Sequence, residues 1–197
     1  MASARQKYIE QHKGLAVDTS KGTGLFPSVF LAQAIVESGN GESELAKKYN
    51  NHFGIKADKS WKGKKVNMDT REVVGGQEEM QGAWFRVYDS AKESYRDRVK
   101  FLTENKRYKN AGVFDAKTPM EQLKALKSAG YATDPRYAEI INDVLEKEKL
   151  GTLDQLLKKG YEWGAGHKGV VALIVILVVI SVLMILYRKK IAVALDK

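Results

Sequence analysis

The distribution of apolar positions divides the chain into two unlike parts. Residues 1–150 mix apolar and polar positions at the spacings of helices and strands, whereas residues 169–187 read GVVALIVILVVISVLMILY without a charge. A helix of this length spans about 28 Å, close to the ~30 Å hydrocarbon core of a bilayer. The pattern predicts a folded domain over 1–150, a connector over 151–168, a single transmembrane helix over 169–187 and a short basic tail over 188–197.

The first domain has mostly helical spacing. Residues 27–36 are apolar on nearly every side and begin at Pro27, a residue favoured in the first turn of a helix, which predicts a buried central helix. Weaker or amphipathic helical spacing recurs over 5–17, 42–49, 90–103, 118–128 and 136–149. Thr118 and Glu121 predict a capping box at the start of one of these helices.

A short β segment interrupts the helical pattern. Residues 65–73 and 83–88 have the composition of strands and flank a loop that contains Gly75 and Gly76. The predicted fold class is therefore α+β, mostly α, with a helical body and a small β-hairpin lobe, followed by one transmembrane helix.

The predicted central helix ends at Glu37, where Ser38-Gly39-Asn40-Gly41 allows the chain to leave the helix. Burial and the negative end of the helix dipole both disfavour an ionised carboxyl, so we expect a raised pKa for Glu37. A carboxyl that stays protonated near neutral pH can act as a general acid. The alternative is a solvated glutamate at a helix end.

Composition and charge exclude several functions. The chain has no cysteine and three histidines, so no metal or other cofactor is predicted, and catalysis falls to carboxylates, hydroxyls or amides. The formal net charge of +9 favours a polyanionic partner. Residues 168–197 hold five basic residues and one acidic residue, a net +4, beside the apolar run. The other basic residues are scattered without interleaved aromatic residues, so nucleic acid is not predicted as a partner.

A helical body with a β-lobe and a carboxylic acid at the end of the central helix is the arrangement of lysozyme-like glycan hydrolases. Six motifs make the comparison specific: GLFPSV (24–29), LAQAIVESGNG (31–41), NNHFGIK (50–56), WKG (61–63), FRVY (85–88) and AGYATDPRY (129–137). In this order they resemble the glucosaminidase domain of glycoside hydrolase family 73, over residues 5–150. The resemblance implies a peptidoglycan hydrolase that cleaves the β-1,4 bond after N-acetylglucosamine.

The resemblance also implies two catalytic carboxyl groups. It assigns Glu37 as general acid and places the second carboxylate in a Thr-x-Glu pattern, which residues 70–72 match. Glu72 is thus expected to act as base or electrostatic stabiliser, with Asp69 as the alternative if the register differs. Successive strand residues point to opposite faces, so only one of the two can face the groove. A solvent-facing charge on the hairpin is the other interpretation of Glu72.

Five further residues are expected to contribute to substrate binding. Tyr131 and Tyr137 match tyrosines that line the glycan groove in similar domains, although core packing is an equal interpretation of Tyr137. Asn51 is expected to shape the groove and Phe53 to pack where the helices meet the lobe. Ser38 belongs to the motif around Glu37.

Three functions remain open at this stage. The first is a membrane-anchored N-acetylglucosaminidase that acts on peptidoglycan glycan strands. The second is a lytic transglycosylase, which would use Glu37 alone and form an anhydro sugar. The third is a non-catalytic module that binds the wall.

Asn40 stands where many family members have an aromatic residue, which predicts weaker stacking on one sugar.

The expected location is a membrane, with a single-pass C-terminal anchor that contacts the lipid bilayer. The amino-terminal residues lack an apolar stretch typical of a signal peptide, so the topology stays open. This favours a phage virion membrane or a phage lysis enzyme, and leaves a bacterial cell envelope as the alternative. Association with other membrane or virion proteins is expected in either setting.

Overall fold

The structure is a computed structural model that describes residues 2–74 and 77–160, and their side chains except those of 70–74 and 77–80. Its elements are α1 (Ala4–Ser20), α2 (Pro27–Glu37), α3 (Glu44–Tyr49), β1 (Lys65–Val74), β2 (Gln77–Arg86), α4 (Ala91–Glu104), α5 (Lys106–Asn110), α6 (Pro119–Ser128) and α7 (Tyr137–Lys147). Residues 151–160 are also helical. The predicted class, α+β with mostly helices and one small two-stranded sheet, is confirmed.

Helix α2 forms the centre of the helical body, as its apolar sequence predicts. All residues from Pro27 to Ile35 are buried. The helix contacts α1, α6 and α7, so three other helices remove its surface from water. Burial of large apolar side chains from several elements around one helix is the main source of stability in a domain of this kind.

The amino end of α2 is capped by a residue far away in the chain. Phe26, at the cap position, offers no side-chain acceptor. The carboxylate of Asp154 instead accepts hydrogen bonds from the Ser28 backbone N–H at 2.9 Å and from the Ser28 hydroxyl at 2.6 Å. Residues beyond 150 therefore contact the helical body, and the compact unit of the chain extends to Leu157. The domain boundary at 150 stays a prediction.

The β-lobe is an antiparallel hairpin that is longer than the sequence pattern indicates. The register runs from Lys65 opposite Arg86 to Val74 opposite Gln77, which leaves two residues between the strands. The prediction that residues 77–82 belong to a loop is wrong. Their polar composition lacks the alternation of a half-buried strand, but pairing in a two-stranded ribbon uses backbone hydrogen bonds that any of these residues supplies.

The structure differs from the sequence prediction in one helix cap and in one short helix. Thr118 caps α6 through its hydroxyl, which accepts from the Glu121 N–H at 3.2 Å, as predicted. The Glu121 carboxylate, however, accepts from the Lys117 N–H rather than from Thr118, so the reciprocal half of the capping box is absent. Helix α5 was not predicted, because five residues are too few to show helical periodicity.

No helix in the described ranges, 2–74 and 77–160, is long and apolar enough to cross a membrane. The predicted transmembrane segment 169–187 and the basic tail 188–197 lie outside the described residues.

Candidate active site

Glu37 is the last residue of α2, and a tight turn follows it. Gly39, Asn40 and Gly41 all have positive φ angles of 58°, 62° and 81°. The Ser38 hydroxyl donates to the Ala34 carbonyl at 2.5 Å and accepts from the Gly41 N–H at 2.7 Å. These two bonds hold the turn against the end of the helix. Ser38 is buried and its hydroxyl is used within this turn.

The side chain of Glu37 reaches solvent although its helix is buried. Protein atoms around the carboxyl still displace enough water to raise the pKa of Glu37, while the positive charge of Arg98 acts in the opposite direction. A raised pKa increases the fraction of protonated carboxyl near neutral pH. A solvent-accessible carboxylic acid in this state can donate a proton to a bound substrate.

Gln33, one helical turn before Glu37, joins three helices through its buried amide. Its Oε1 atom accepts a hydrogen bond from Nη2 of Arg98 in α4 at 3.1 Å. Its Nε2 atom donates to the hydroxyl of Tyr137, the first residue of α7. The contacts of Gln33 therefore connect α2, α4 and α7 one helical turn before Glu37.

The two tyrosines predicted to bind substrate are in different environments. Tyr131 is half-buried, its ring lies 4.2 Å from the Arg98 guanidinium, and burial raises the pKa of its hydroxyl to about 12. Tyr137 is buried, and its hydroxyl accepts from Gln33. The ring centroids are 5.6 Å apart, so the structure brings the two side chains together beside the helix end. Tyr131 has the greater access to a ligand.

Asn51 contacts the lobe, whereas Phe53 packs within the helical body. The Asn51 side chain donates to the carbonyls of Ile55 at 3.0 Å and Arg86 at 2.9 Å, and accepts from the Ile55 N–H at 3.1 Å. Phe53 is buried, with its ring 5.1 Å from that of Phe30. Both residues are buried and contact other protein groups, so their expected roles at the groove stay predictions.

Glu72 lies in β1, opposite Glu79 of β2. Its side chain is outside the described residues, so its role as the second carboxylate stays a prediction. The alternative, Asp69, is opposite Gly82 and is exposed. The backbone register places both residues on the hairpin lobe, as the sequence pattern predicts.

A buried cluster of neutral rings lies under the turn after Glu37. The Tyr8 hydroxyl and Nδ1 of His52 are 2.9 Å apart, and the Tyr8 and His12 rings stack with centroids 4.0 Å apart. Burial lowers the pKa of His12 and of His52 to about 4, and a positive charge on His12 would further lower the pKa of His52. A Cβ on Gly41 would come within 2.6 Å of the Tyr8 ring, which explains the glycine there. Within the described ranges no group of three metal-ligating side chains is present.

The sequence pattern did not single out Gln33 or Arg98 as parts of the site. Gln33 offers one signal, because a polar residue four positions before Glu37 in an otherwise apolar helix must find a buried partner. Arg98 offers none, because a charged residue in an amphipathic helix is normally solvated.

Comparison with known proteins assigns the class. A glucosaminidase family, described as mannosyl-glycoprotein endo-beta-N-acetylglucosaminidase, matches residues 13–150. The chain belongs to this glucosaminidase family, and the prediction that it is a glycoside hydrolase is confirmed. The family match covers the turn with Glu37, the hairpin lobe and both tyrosines.

Individual relatives agree with this assignment. The chain is 36% identical over 146 residues to peptidoglycan hydrolase FlgJ of Vibrio parahaemolyticus, which covers 72% of this chain and 47% of the relative. It is 38% identical over 157 residues to exo-glucosaminidase LytG of Bacillus subtilis, which covers 77% of this chain and 54% of the relative. The chain thus spans about half the length of these curated relatives.

A solved structure has the same fold. The catalytic domain of the autolysin Auto from Listeria monocytogenes matches with a TM-score of 0.69 and 34% identity, over 78% of this chain and 89% of that domain. The predicted helical body with a small lobe is therefore the fold of this autolysin catalytic domain.

Proposed function

We propose that this protein hydrolyses the β-1,4 bond after N-acetylglucosamine in bacterial peptidoglycan. The observation that carries the proposal is Glu37, a solvent-accessible carboxyl with a raised pKa at the end of a buried helix in a chain of the glucosaminidase family. The names of two relatives, a peptidoglycan hydrolase and an exo-glucosaminidase, support the substrate and the type of sugar.

In the proposed reaction, Glu37 donates a proton to the glycosidic oxygen as the bond to the leaving sugar breaks. Positive charge develops on the remaining sugar, and a carboxylate on the other side of the bond either stabilises it or activates the attacking water. We assign this second task to Glu72 of β1, on the lobe. The Tyr131 hydroxyl stays protonated because its pKa is raised, so it can donate a hydrogen bond to the substrate.

The products distinguish this reaction from its alternatives. We expect the full-length protein, incubated with purified sacculi, to release fragments with a reducing-end N-acetylglucosamine, as determined by mass spectrometry. Fragments that end in anhydromuramic acid would show a lytic transglycosylase instead. Binding to sacculi without release of fragments would show a wall-binding module.

Two variants of the lobe test the second carboxylate. We expect Glu72→Gln to lose most of the hydrolysis, because the water or the developing charge loses its anionic partner. Asp69→Gln is the matched control, three residues away in the same strand. If Asp69→Gln is inactive and Glu72→Gln is active, the assignments of these two residues are exchanged.

We further propose that residues 169–187 anchor the protein in a lipid bilayer. The support is the sequence alone, an uncharged apolar run of membrane length with basic residues at both ends. We expect the full-length protein to stay with membranes after extraction at alkaline pH. Replacement of Val178 and Val179 by lysine should release it, whereas replacement of both by leucine should not.

We also propose that the anchored enzyme resides either in a phage virion membrane or in a bacterial cell envelope, in contact with other proteins of that membrane. Protease treatment of purified particles and of intact host cells distinguishes the two locations. Cleavage of the folded domain in particles alone indicates a virion protein, and cleavage on cells alone indicates an envelope protein. Full protection in both contradicts an exposed anchored enzyme.

A further inference from the structure

Arg98 is a buried charge in α4 with an unusual environment. Its side chain is 0% exposed, and Nη2 donates to Oε1 of Gln33 at 3.1 Å. Nε and Nη1 have no hydrogen-bond partner among the described residues. A buried guanidinium with unpaired N–H groups costs free energy, so its presence calls for a reason other than stability.

The neighbours of Arg98 belong to the candidate active site. The guanidinium carbon lies 4.2 Å from the centre of the Tyr131 ring and 5.7 Å from that of Phe53. Through Gln33 it is also connected to the hydroxyl of Tyr137. A cation against an aromatic face restrains both groups, so Arg98 fixes the ring of the tyrosine with the greater access to a ligand.

We propose that Arg98 is a positioning residue of the candidate active site, which holds Gln33 and the ring of Tyr131 in place and supplies a fixed positive charge to the surroundings of Glu37. The effect of Arg98 on catalysis rests on the proposed hydrolase function. The effect of Arg98 on the pKa of Glu37 can be measured without that function.

The charged surroundings of Glu37 give the direction of this effect. Three described titratable groups interact electrostatically with Glu37. They are Arg98 of α4, Tyr131 of the loop before α7, and Tyr137 of α7. Burial raises the pKa of both tyrosines, so they are neutral at working pH, whereas Arg98 is charged. Removal of Arg98 should therefore raise the pKa of Glu37 above its value in the unmodified protein.

The first test measures the Glu37 carboxyl directly. The full-length protein is labelled with ¹³C at its glutamate carboxyls, kept in a mild detergent and titrated by NMR, with Glu37→Gln to identify the signal. We expect Arg98→Met to raise the pKa of Glu37, because methionine fills similar space without charge. Arg98→Lys should change it less, because the charge remains. Arg107→Met is the control, since it removes an exposed arginine that contacts another tyrosine, Tyr108.

The second test is the pH profile of hydrolysis. The protonated form of a general acid is lost above its pKa, so we expect the alkaline limb of kcat/KM for Arg98→Met to move to higher pH. We also expect a lower kcat, by about 10- to 100-fold, because Tyr131 and Gln33 lose a restraint. The alkaline limb for Arg107→Met should stay where it is in the unmodified protein.

Each result counts for or against the role of Arg98. An unchanged pKa of Glu37 in folded Arg98→Met, or equal shifts in Arg98→Met and Arg98→Lys, overturns the proposal. If Arg98→Met does not fold, Arg98→Gln takes its place, because its amide can still bond to Gln33. A raised pKa of Glu37 in a protein that does not hydrolyse sacculi supports the electrostatic role and contradicts only the proposed function.

Discussion

Two neighbouring tyrosines differ in their burial and in the groups they contact. Tyr131 is half-buried, and its ring lies against the Arg98 guanidinium. Tyr137 is buried with its hydroxyl bonded to Gln33. Sequence motifs predict that both line a glycan groove, but these contacts separate a residue available to a ligand from one that supports the helix carrying Glu37.

The hydroxyl of Tyr131 is expected to act in catalysis. Tyr131→Phe keeps the ring beside Arg98 and removes only the hydrogen-bond donor. We predict a decrease of kcat on sacculi by about 10²- to 10³-fold, the scale seen when one donor to the transition state is removed. The melting temperature should stay within error of the unmodified protein. Full activity of this variant would contradict a catalytic role of the hydroxyl.

The hydroxyl of Tyr137 is expected to act mainly in stability. Tyr137→Phe leaves the Gln33 amide without its buried acceptor, which costs about 1–3 kcal/mol of unfolding free energy. Chemical denaturation measures this loss, and Tyr131→Phe serves as the matched control. A stable Tyr137→Phe protein with strongly reduced kcat would show that Tyr137 contacts substrate instead.

Single residues differ in how far the sequence reveals their role. The position of Glu37 at the end of a buried helix is predictable, because that helix and the residues after it are local in the chain. Arg98 is not, because its partner Gln33 is 65 positions away and comes close only when α2 and α4 pack together. The raised pKa of Glu37 agrees with expectation in direction, yet the opposing charge of Arg98 appears only in the folded structure.

At the scale of elements, the start of α2 depends on a single distant carboxylate. The Asp154 carboxylate accepts hydrogen bonds from both the N–H and the hydroxyl of Ser28, although 126 positions separate the two residues. The central helix is thus joined to the segment that follows the family match.

Loss of this cap should weaken the whole helical body. We predict that Asp154→Ala lowers the unfolding free energy by about 0.5–2 kcal/mol, the usual effect of removing a helix cap. Asp154→Asn should recover part of the loss, since its amide oxygen can still accept from the Ser28 N–H. Equal stability of Asp154→Ala and the unmodified protein in urea denaturation would contradict the capping role.

The elements themselves were predictable to the extent that their signals are local. An unbroken apolar run after Pro27 predicts α2 correctly, and strand propensity places most of β1. The second strand begins six residues earlier than predicted, at Gln77 rather than at residue 83, because the polar sequence of residues 77–82 carries no period-two pattern. The Asp154 cap could not be predicted, because the sequence does not show that residue 154 packs against the start of α2.

At the scale of the whole molecule, the buried cluster of Tyr8, His12 and His52 predicts sensitivity to acid. The pKa values of both histidines fall from about 6.5 in the unfolded chain to about 4 in the folded one. Between these two values the unfolded chain binds more protons than the folded one. The stability that depends on neutral histidines is complete above pH 6.5 and is lost as pH falls to about 4.

Unfolding free energies at several pH values measure this effect. We predict a decrease between pH 6.5 and 4 that levels off below pH 4. His12→Gln and His52→Gln should each make the decrease smaller, because each removes one titrating site. Burial also raises the pKa values of Glu37 and Asp154, which acts in the opposite direction, so the comparison with these variants isolates the histidines. Equal slopes in all three proteins would contradict the prediction.

The net charge of +9 also has two distinct locations in the whole molecule. Residues 168–197 carry +4 around the apolar run, and the remaining +5 belongs to residues 1–167, which include the glucosaminidase family match. A net positive charge favours an anionic wall or lipid headgroups as partners, which is consistent with the proposed function beside a membrane.

The role of Glu37 is tested most directly by the turnover of sacculi by Glu37→Gln. Glu44→Gln is the control, since Glu44 is an exposed glutamate in the next helix that pairs with Lys48. We predict that Glu37→Gln folds and binds sacculi but releases fragments about 10²- to 10⁴-fold more slowly, because it cannot donate a proton. Glu44→Gln should retain full activity. Turnover by folded Glu37→Gln at the rate of the unmodified protein would contradict the assignment of Glu37 as the general acid.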